Sequence, residues 1–164
     1  MAHRRLELPM PAPAAVVFDA FHYHHWKAQW DSLVAETQIS GGAPCPYVGA
    51  VSTNGGAGLL RPLAMETEFI AFDRPRPAAA TMRGRSFPFG KWAASMRHVP
   101  VEGGRSTLIY KYTLETHPAA LRWLMEPVVD WIFLRATRKR FRRLAAWLEH
   151  NAPEVKAWQQ AGQA

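Results

Sequence analysis

Three histidines crowd one short stretch, His22, His24 and His25, and metal ligation is the chemistry such a cluster suggests. His22 and His25 stand three apart, so a helix would place them on one face. A zinc site also needs a second ligand-rich segment, and none stands at a suitable spacing. The cluster therefore reads as a helix-end group beside Trp26, with no metal expected. Cys45, between Pro44 and Pro46, has the chemistry of a nucleophile but no Cys/His/Asn pattern to activate it, so it reads as an ordinary thiol. Asn54-Gly55-Gly56-Ala57-Gly58 is rich enough in glycine for a phosphate loop. It lacks the Gly-Lys-Ser/Thr ending and precedes a strand pattern, which makes it a hairpin turn. Glu66 and Glu68 would share the outer, solvated face of a strand, opposite Met65 and Thr67. No acid/base pair or other catalytic constellation emerges, and no cofactor is implied. His98 is the residue that keeps two readings open: strand parity points it inward beside Tyr110 and Tyr112, where an imidazole could meet a ligand carbonyl or hydroxyl or be bonded within a core.

The elements that would position these groups follow from periodicity. Leu6, Leu8 and Met10 alternate with Arg5 and Glu7, the pattern of a half-buried strand. Prolines 9, 11 and 13 end it. Val17, Phe18, Phe21, Trp26 and Trp30 then fall at helix-like spacings between Ala14 and Asp31, as one helix or two broken near His24. Turn residues at Gly41-Gly42, Asn54-Gly55-Gly56, Pro75-Arg76-Pro77, Gly84 to Gly90 and Gly103-Gly104 divide the next stretch into about six antiparallel strands, at 34–40, 46–53, 59–72, 78–84, 91–101 and 105–116. Pro118 stops the last of them. Residues 119–126 are helix-prone, and Pro127 suits the first turn of a longer helix ending near His150, because the missing N–H is not needed there. After Pro153 a loose tail is expected, giving a domain over 3–150 and a tail over 151–164.

Within the long helix Val129, Phe133, Thr137, Phe141, Leu144 and Leu148 form an apolar stripe that must face the sheet. A sheet of about seven strands curls, and one helix about 10–12 Å across cannot fill its concave side. Space between them is expected, walled by Met65, Thr67, Trp92, Met96, His98, Tyr110, Tyr112, Trp123, Val129 and Phe133. Methionine and aromatic side chains of this kind suit a flat or greasy ligand oriented by one or two polar groups. The same side chains could instead meet as a dry core.

The order strand, two short helices, antiparallel strands and long terminal helix resembles the helix-grip arrangement of the START/Bet v 1-like (SRPBCC) superfamily, in its polyketide cyclase/dehydratase-like branch. The resemblance covers residues 3 to about 150. It rests on Leu8-Pro9-Met10-Pro11-Ala12-Pro13-Ala14-Ala15-Val16-Val17-Phe18, similar to that superfamily's strand-to-helix entry, and on His25-Trp26-Lys27-Ala28-Gln29-Trp30-Asp31, similar to its paired-tryptophan segment. Phe69-Ile70-Ala71-Phe72-Asp73-Arg74-Pro75-Arg76 is similar to its strand-ending segment, with Arg74 where a proline is common. The resemblance implies an α+β fold with a cavity holding a lipid, polyketide or quinone-like molecule. It also implies an alternative, a cyclase or dehydratase in which His98 or a tyrosine moves protons. Members serve as carriers, receptors, enzymes and adaptors, so the fold alone assigns no chemistry.

Composition sets the outer limits. The chain has 164 residues, enough for one core. The apolar run from Ala14 to Phe18 is too short for a signal peptide, and no run approaches a membrane span. A single Cys leaves no internal disulfide, which points to a cytoplasmic setting. The formal charge is +7, and Arg135, Arg138, Lys139, Arg140, Arg142 and Arg143 crowd the last helix. They suit either a solvated face or an anionic surface or acidic protein, the basis of an adaptor reading. Nucleic acid is disfavoured, because no binding signature accompanies the run.

Overall fold

The period-2 pattern from Arg105 to Thr116 becomes the spine of the fold. In this computed structural model, which describes residues 1–31, 34–56 and 65–162, Ser106, Leu108, Tyr110, Tyr112, Leu114 and Thr116 are all buried on one face of that strand. Around it the elements run β1 (Ala2–Met10), α1 (Ala14–His22), α2 (His24–Trp30), β2 (Val34–Ile39), β3 (Val51–Gly56), β4 (Met65–Phe72), β5 (Pro77–Met82), β6 (Phe89–Val101), β7 (Arg105–Thr116) and α3 (Arg122–Gln160). The described strands form one seven-stranded antiparallel sheet in the order β1-β7-β6-β5-β4-β3-β2. The fold is thus the expected α+β helix grip.

Local chemistry explains where the boundaries depart from expectation. Residues 46–50 do not extend β3. Gly49 adopts φ 86°, a left-handed conformation that favours glycine, and the Ala50 N–H donates to the Tyr47 carbonyl in a turn. Of the strand expected at 59–72, residues 59–64 lie outside the described residues, and β4 begins at Met65. A register shift between Phe69 and Ala71 adds a bulge. It lets Phe72, rather than Ala71, turn inward to meet Phe18 with ring centroids 5.2 Å apart.

The long helix differs most. It starts at Arg122, so Pro127 sits inside it, and it continues through Pro153 to Gln160. Each proline removes one backbone hydrogen bond. The carbonyls left over, those of Trp123 and Glu149, belong to exposed residues, so neither lies in the core. The expected tail is therefore helix, and it is packed: Val155 is buried, and the Trp158 ring lies 4.7 Å from Tyr23 and 5.9 Å from Trp26. Apolar contact on one side outweighs the two lost bonds.

Two carboxylates fasten the helices. Asp130 faces the sheet from α3, accepting from the Tyr112 hydroxyl at 2.8 Å and from Arg4 Nε and Nη2 of β1 at 2.8 and 2.6 Å. Asp19 of α1 is fully buried and takes both arms of Arg74 at 2.6 and 2.5 Å, together with the Gln159 amide from the end of α3. Arg74, the departure from the superfamily pattern, thereby ties the β4–β5 turn to α1. Arg74→Met should cost about 2–4 kcal/mol in a urea melt, less than for a fully sequestered pair because the Arg74 side chain is 37% exposed. Adding Asp19→Leu should recover most of the loss, whereas equal destabilisation by both variants would show that the pair does not hold the turn.

Candidate ligand-binding cavity

α3 rests on β1 and β7 and packs against α1 and α2, so it covers only one side of the concave sheet. Between the N-terminal half of α3 and the inner face of β3 to β6 lies a cavity of about 390 Å³, within the size range of small-molecule sites. The floor is deep because β5 and β6 supply Ala78, Ala80 and Ala94, with Ala80 and Ala94 directly paired across the strands. Met65, Thr67, Phe89, Trp92, Met96 and Tyr110 raise the walls, and Val129, Ile132 and Phe133 form the roof.

Of the ten side chains expected at the wall, Met65, Thr67, Trp92, Met96, Tyr110, Val129 and Phe133 surround this space. His98, Tyr112 and Trp123 do not. His98 has the inward parity expected of it, but α1 lies over that end of the sheet, and Phe18 meets the imidazole edge-on at 5.7 Å. It belongs to the core beneath the helix. The Tyr112 hydroxyl is taken by Asp130. Trp123, in the first turn of α3, points away from the sheet and is 77% exposed.

The cavity also collects polar groups that the sequence reading did not place there. From α1 and α2 come His22, His24 and Lys27, and from α3 comes Arg140. Arg140 thus leaves the outward basic face to which its sequence neighbours belong. It donates to Asp31 from Nε at 2.9 Å and from Nη2 at 2.5 Å, and its guanidinium lies 4.8 Å from the Phe21 ring. The Lys27 ammonium lies over the same ring at 5.9 Å. Burial, reinforced by Arg140 and opposed by Asp31, pushes that ammonium down to about 7. His22 Nδ1 donates to the Phe18 carbonyl at 2.8 Å, and burial pushes its ring down to about 3, so it is neutral. On the walls, Trp92 Nε1 and His24 Nε2 are buried with no hydrogen-bond partner among the described residues. Buried polar atoms ordinarily have partners.

The remaining sequence candidates fall elsewhere. His25 packs at a tilt against Trp26 and Trp158 rather than joining His22, and among the described residues no three His, Cys, Asp or Glu side chains gather as metal ligands. Cys45 is partly buried beside Tyr23. Glu66 and Glu68 lie on the outer side of β4, where Glu68 faces Arg83 at 3.7 Å. Asn54 to Gly56 continue β3, while 57 and 58 lie outside the described residues. Among the described residues no helix is long and apolar enough to cross a membrane.

A curved antiparallel sheet gripping one long helix over a hollow defines a helix-grip protein. The chain belongs to the family described as "Polyketide cyclase / dehydrase and lipid transport", whose model matches residues 1–149. Solved structures of similar shape include the protein XoxI from Bacillus cereus, with TM-score 0.70 and 13% identity over 92% of this chain and 99% of that one. Norcoclaurine synthase from Thalictrum flavum, solved with dopamine and hydroxybenzaldehyde, gives 0.65 and 15% over 91% and 87%. The di-domain ARO/CYC BexL from the BE-7585A biosynthetic pathway gives 0.70 and 13% over 92% and 47%. At such identities the likeness is one of fold. No curated protein matches the chain.

Burial also pushes His98 down, to about 4. A histidine harder to protonate folded than unfolded leaves the unfolded chain holding more protons once pH falls below 6.5. Stability is therefore full above pH 6.5 and should fall toward pH 4, at about 1.4 kcal/mol per pH unit for each of His22 and His98. Urea titrations across that range read the slope. His98→Leu, which removes two buried nitrogens that have no partner among the described residues, should lower the slope by about half and leave cavity binding unchanged. An unaltered slope would mean that His98 is not the buried neutral base described.

Proposed function

We propose that the protein binds or carries an apolar, largely aromatic small molecule of lipid, polyketide or quinone-like character in the cavity. The observation that carries this reading is the cavity itself, about 390 Å³ between α3 and the sheet and walled mainly by apolar side chains. Met65, Met96, Phe89 and Phe133 can enclose such a molecule. Lys27, Arg140 and the lone pair on neutral His22, beside the helices, are suited to a polar group on it. The family description and the aromatic ligands named for the norcoclaurine synthase structure are consistent with such a guest.

The test is displacement of an apolar dye, anilinonaphthalene sulfonate, together with native mass spectrometry of the purified protein. Ala80→Leu fills part of the floor and leaves the strand ladder intact. It should weaken capture of the co-purifying molecule by about tenfold with a melting temperature no lower than that of the parent protein. Saturation at no site, or a co-purified ligand held equally by both proteins, would sink the reading.

One observation favours a second reading, an enzyme of the cyclase or dehydratase type. The Lys27 amine, titrating near 7 inside the cavity, exchanges protons readily at neutral pH. On this reading Lys27 takes the proton-moving role that the resemblance offered to His98 or a tyrosine. Lys27→Met should lower turnover of a poly-β-keto chain by about 10²–10⁴-fold and remove the inflection near neutrality from the rate profile. Turnover unaffected by the substitution would leave binding as the function.

A further inference from the structure

The outward face of α3 is divided along its length. Its first turns expose Leu124, Val128, Trp131 and Ile132, and the following turns expose Arg135, Arg138, Lys139, Arg142 and Arg143. At 100° per residue these side chains share one face, opposite the buried Thr137, Phe141 and Leu144. Trp131 is 61% exposed, and Phe87, in the loop before β6, is 66% exposed. Isolated exposed apolar residues are ordinary, but a contiguous group of this size marks an interaction surface. The two halves are joined by Arg135, whose guanidinium lies 5.9 Å from the Trp131 ring.

We propose that this face of α3 docks on an anionic phospholipid membrane, its apolar turns entering the headgroup boundary and its basic turns pairing with lipid phosphates. Charge and position both select that occupant. From Trp131 to Arg143 the helix carries no carboxylate, so its field is uniformly positive and matches a surface of phosphates. An acidic protein would answer the charge and leave the tryptophan uncovered. A second copy would cover the apolar turns only by bringing two such positive stripes together. A bilayer supplies acyl chains and phosphates in adjacent layers, which is the order in which the helix presents its two halves.

The docking face also borders the cavity. Ile132 is both exposed and part of the cavity roof, and Pro88, on the rim, is joined to the exposed Phe87. Docking therefore sets the rim of the hollow against the lipid, and a hydrophobic guest passes between them without crossing water. The membrane contact itself stands whatever molecule the cavity holds.

Co-sedimentation with vesicles tests the proposal, comparing pure phosphatidylcholine with equal parts phosphatidylcholine and phosphatidylglycerol. Partitioning should be far stronger on the anionic vesicles and should weaken with salt. Neutralising Arg138, Arg142 and Arg143 together to Gln should reduce it by about a hundredfold, and Leu124→Ser with Trp131→Ser by about tenfold. All five positions are exposed, so melting temperature should hold and separates lost docking from lost folding. Equal sedimentation with both vesicle types, or partitioning indifferent to the substitutions, overturns the proposal. So does a wild-type dimer that becomes monomeric in the Leu124/Trp131 variant without vesicle binding, which would assign the face to a second copy.

Discussion

One helix cannot cover seven curved strands. α3 lies along β1 and β7, where Asp130 ties it to Tyr112 and Arg4, and the sheet continues past its reach. α1 and α2 close the far end, with Phe18 seated against Phe72 and His98. What stays uncovered is the inner face of the middle strands. The hollow is thus a consequence of width and curvature, with no dedicated element needed to create it.

That constraint sorts the inward-facing residues into two kinds. Beneath α1 and the C-terminal half of α3 they make a close-packed core, in which Phe141, Leu144, Leu148 and Val155 are buried. Beneath the N-terminal half of α3 they face space instead, and Val129 and Phe133 are only partly buried. Polar chemistry gathers where the regions meet, because α2 and Arg140 reach the end of the cavity there. The site is consequently asymmetric, apolar along the strands and charged beside the helices.

Much of this arrangement is legible in the sequence, for local reasons. Alternation along β7 fixes the inward side chains without reference to the rest of the fold, and the same parity finds Met65, Trp92, Met96 and Tyr110. Parity does not report what lies above a strand, so His98 looks like a wall residue when a helix covers it. It does not report pairing either: Asp130, 18 residues after Tyr112, claims the phenol through tertiary contact. Lys27 and Arg140 read as solvated in sequence, as long cations ordinarily do, and only the meeting of α2 with α3 turns them inward. The end of α3 is not legible in sequence, because Pro153 is a stop signal there, whereas Val155 and Trp158 have apolar partners that hold the helix beyond it. The alanines of β5 carry a signal of their own, since a strand favours β-branched and aromatic residues and a run of three alanines asks what fills the space.

Those alanines have a consequence for how the pocket could change over time. Its depth is created by missing side-chain atoms at Ala78, Ala80 and Ala94, on paired strands whose hydrogen bonds are indifferent to what stands above them. A methyl group or two added at any of these positions would make the floor shallower while leaving the backbone ladder intact. Guest size can therefore be retuned in small steps on a fixed frame, so that closely similar scaffolds accept molecules of different bulk.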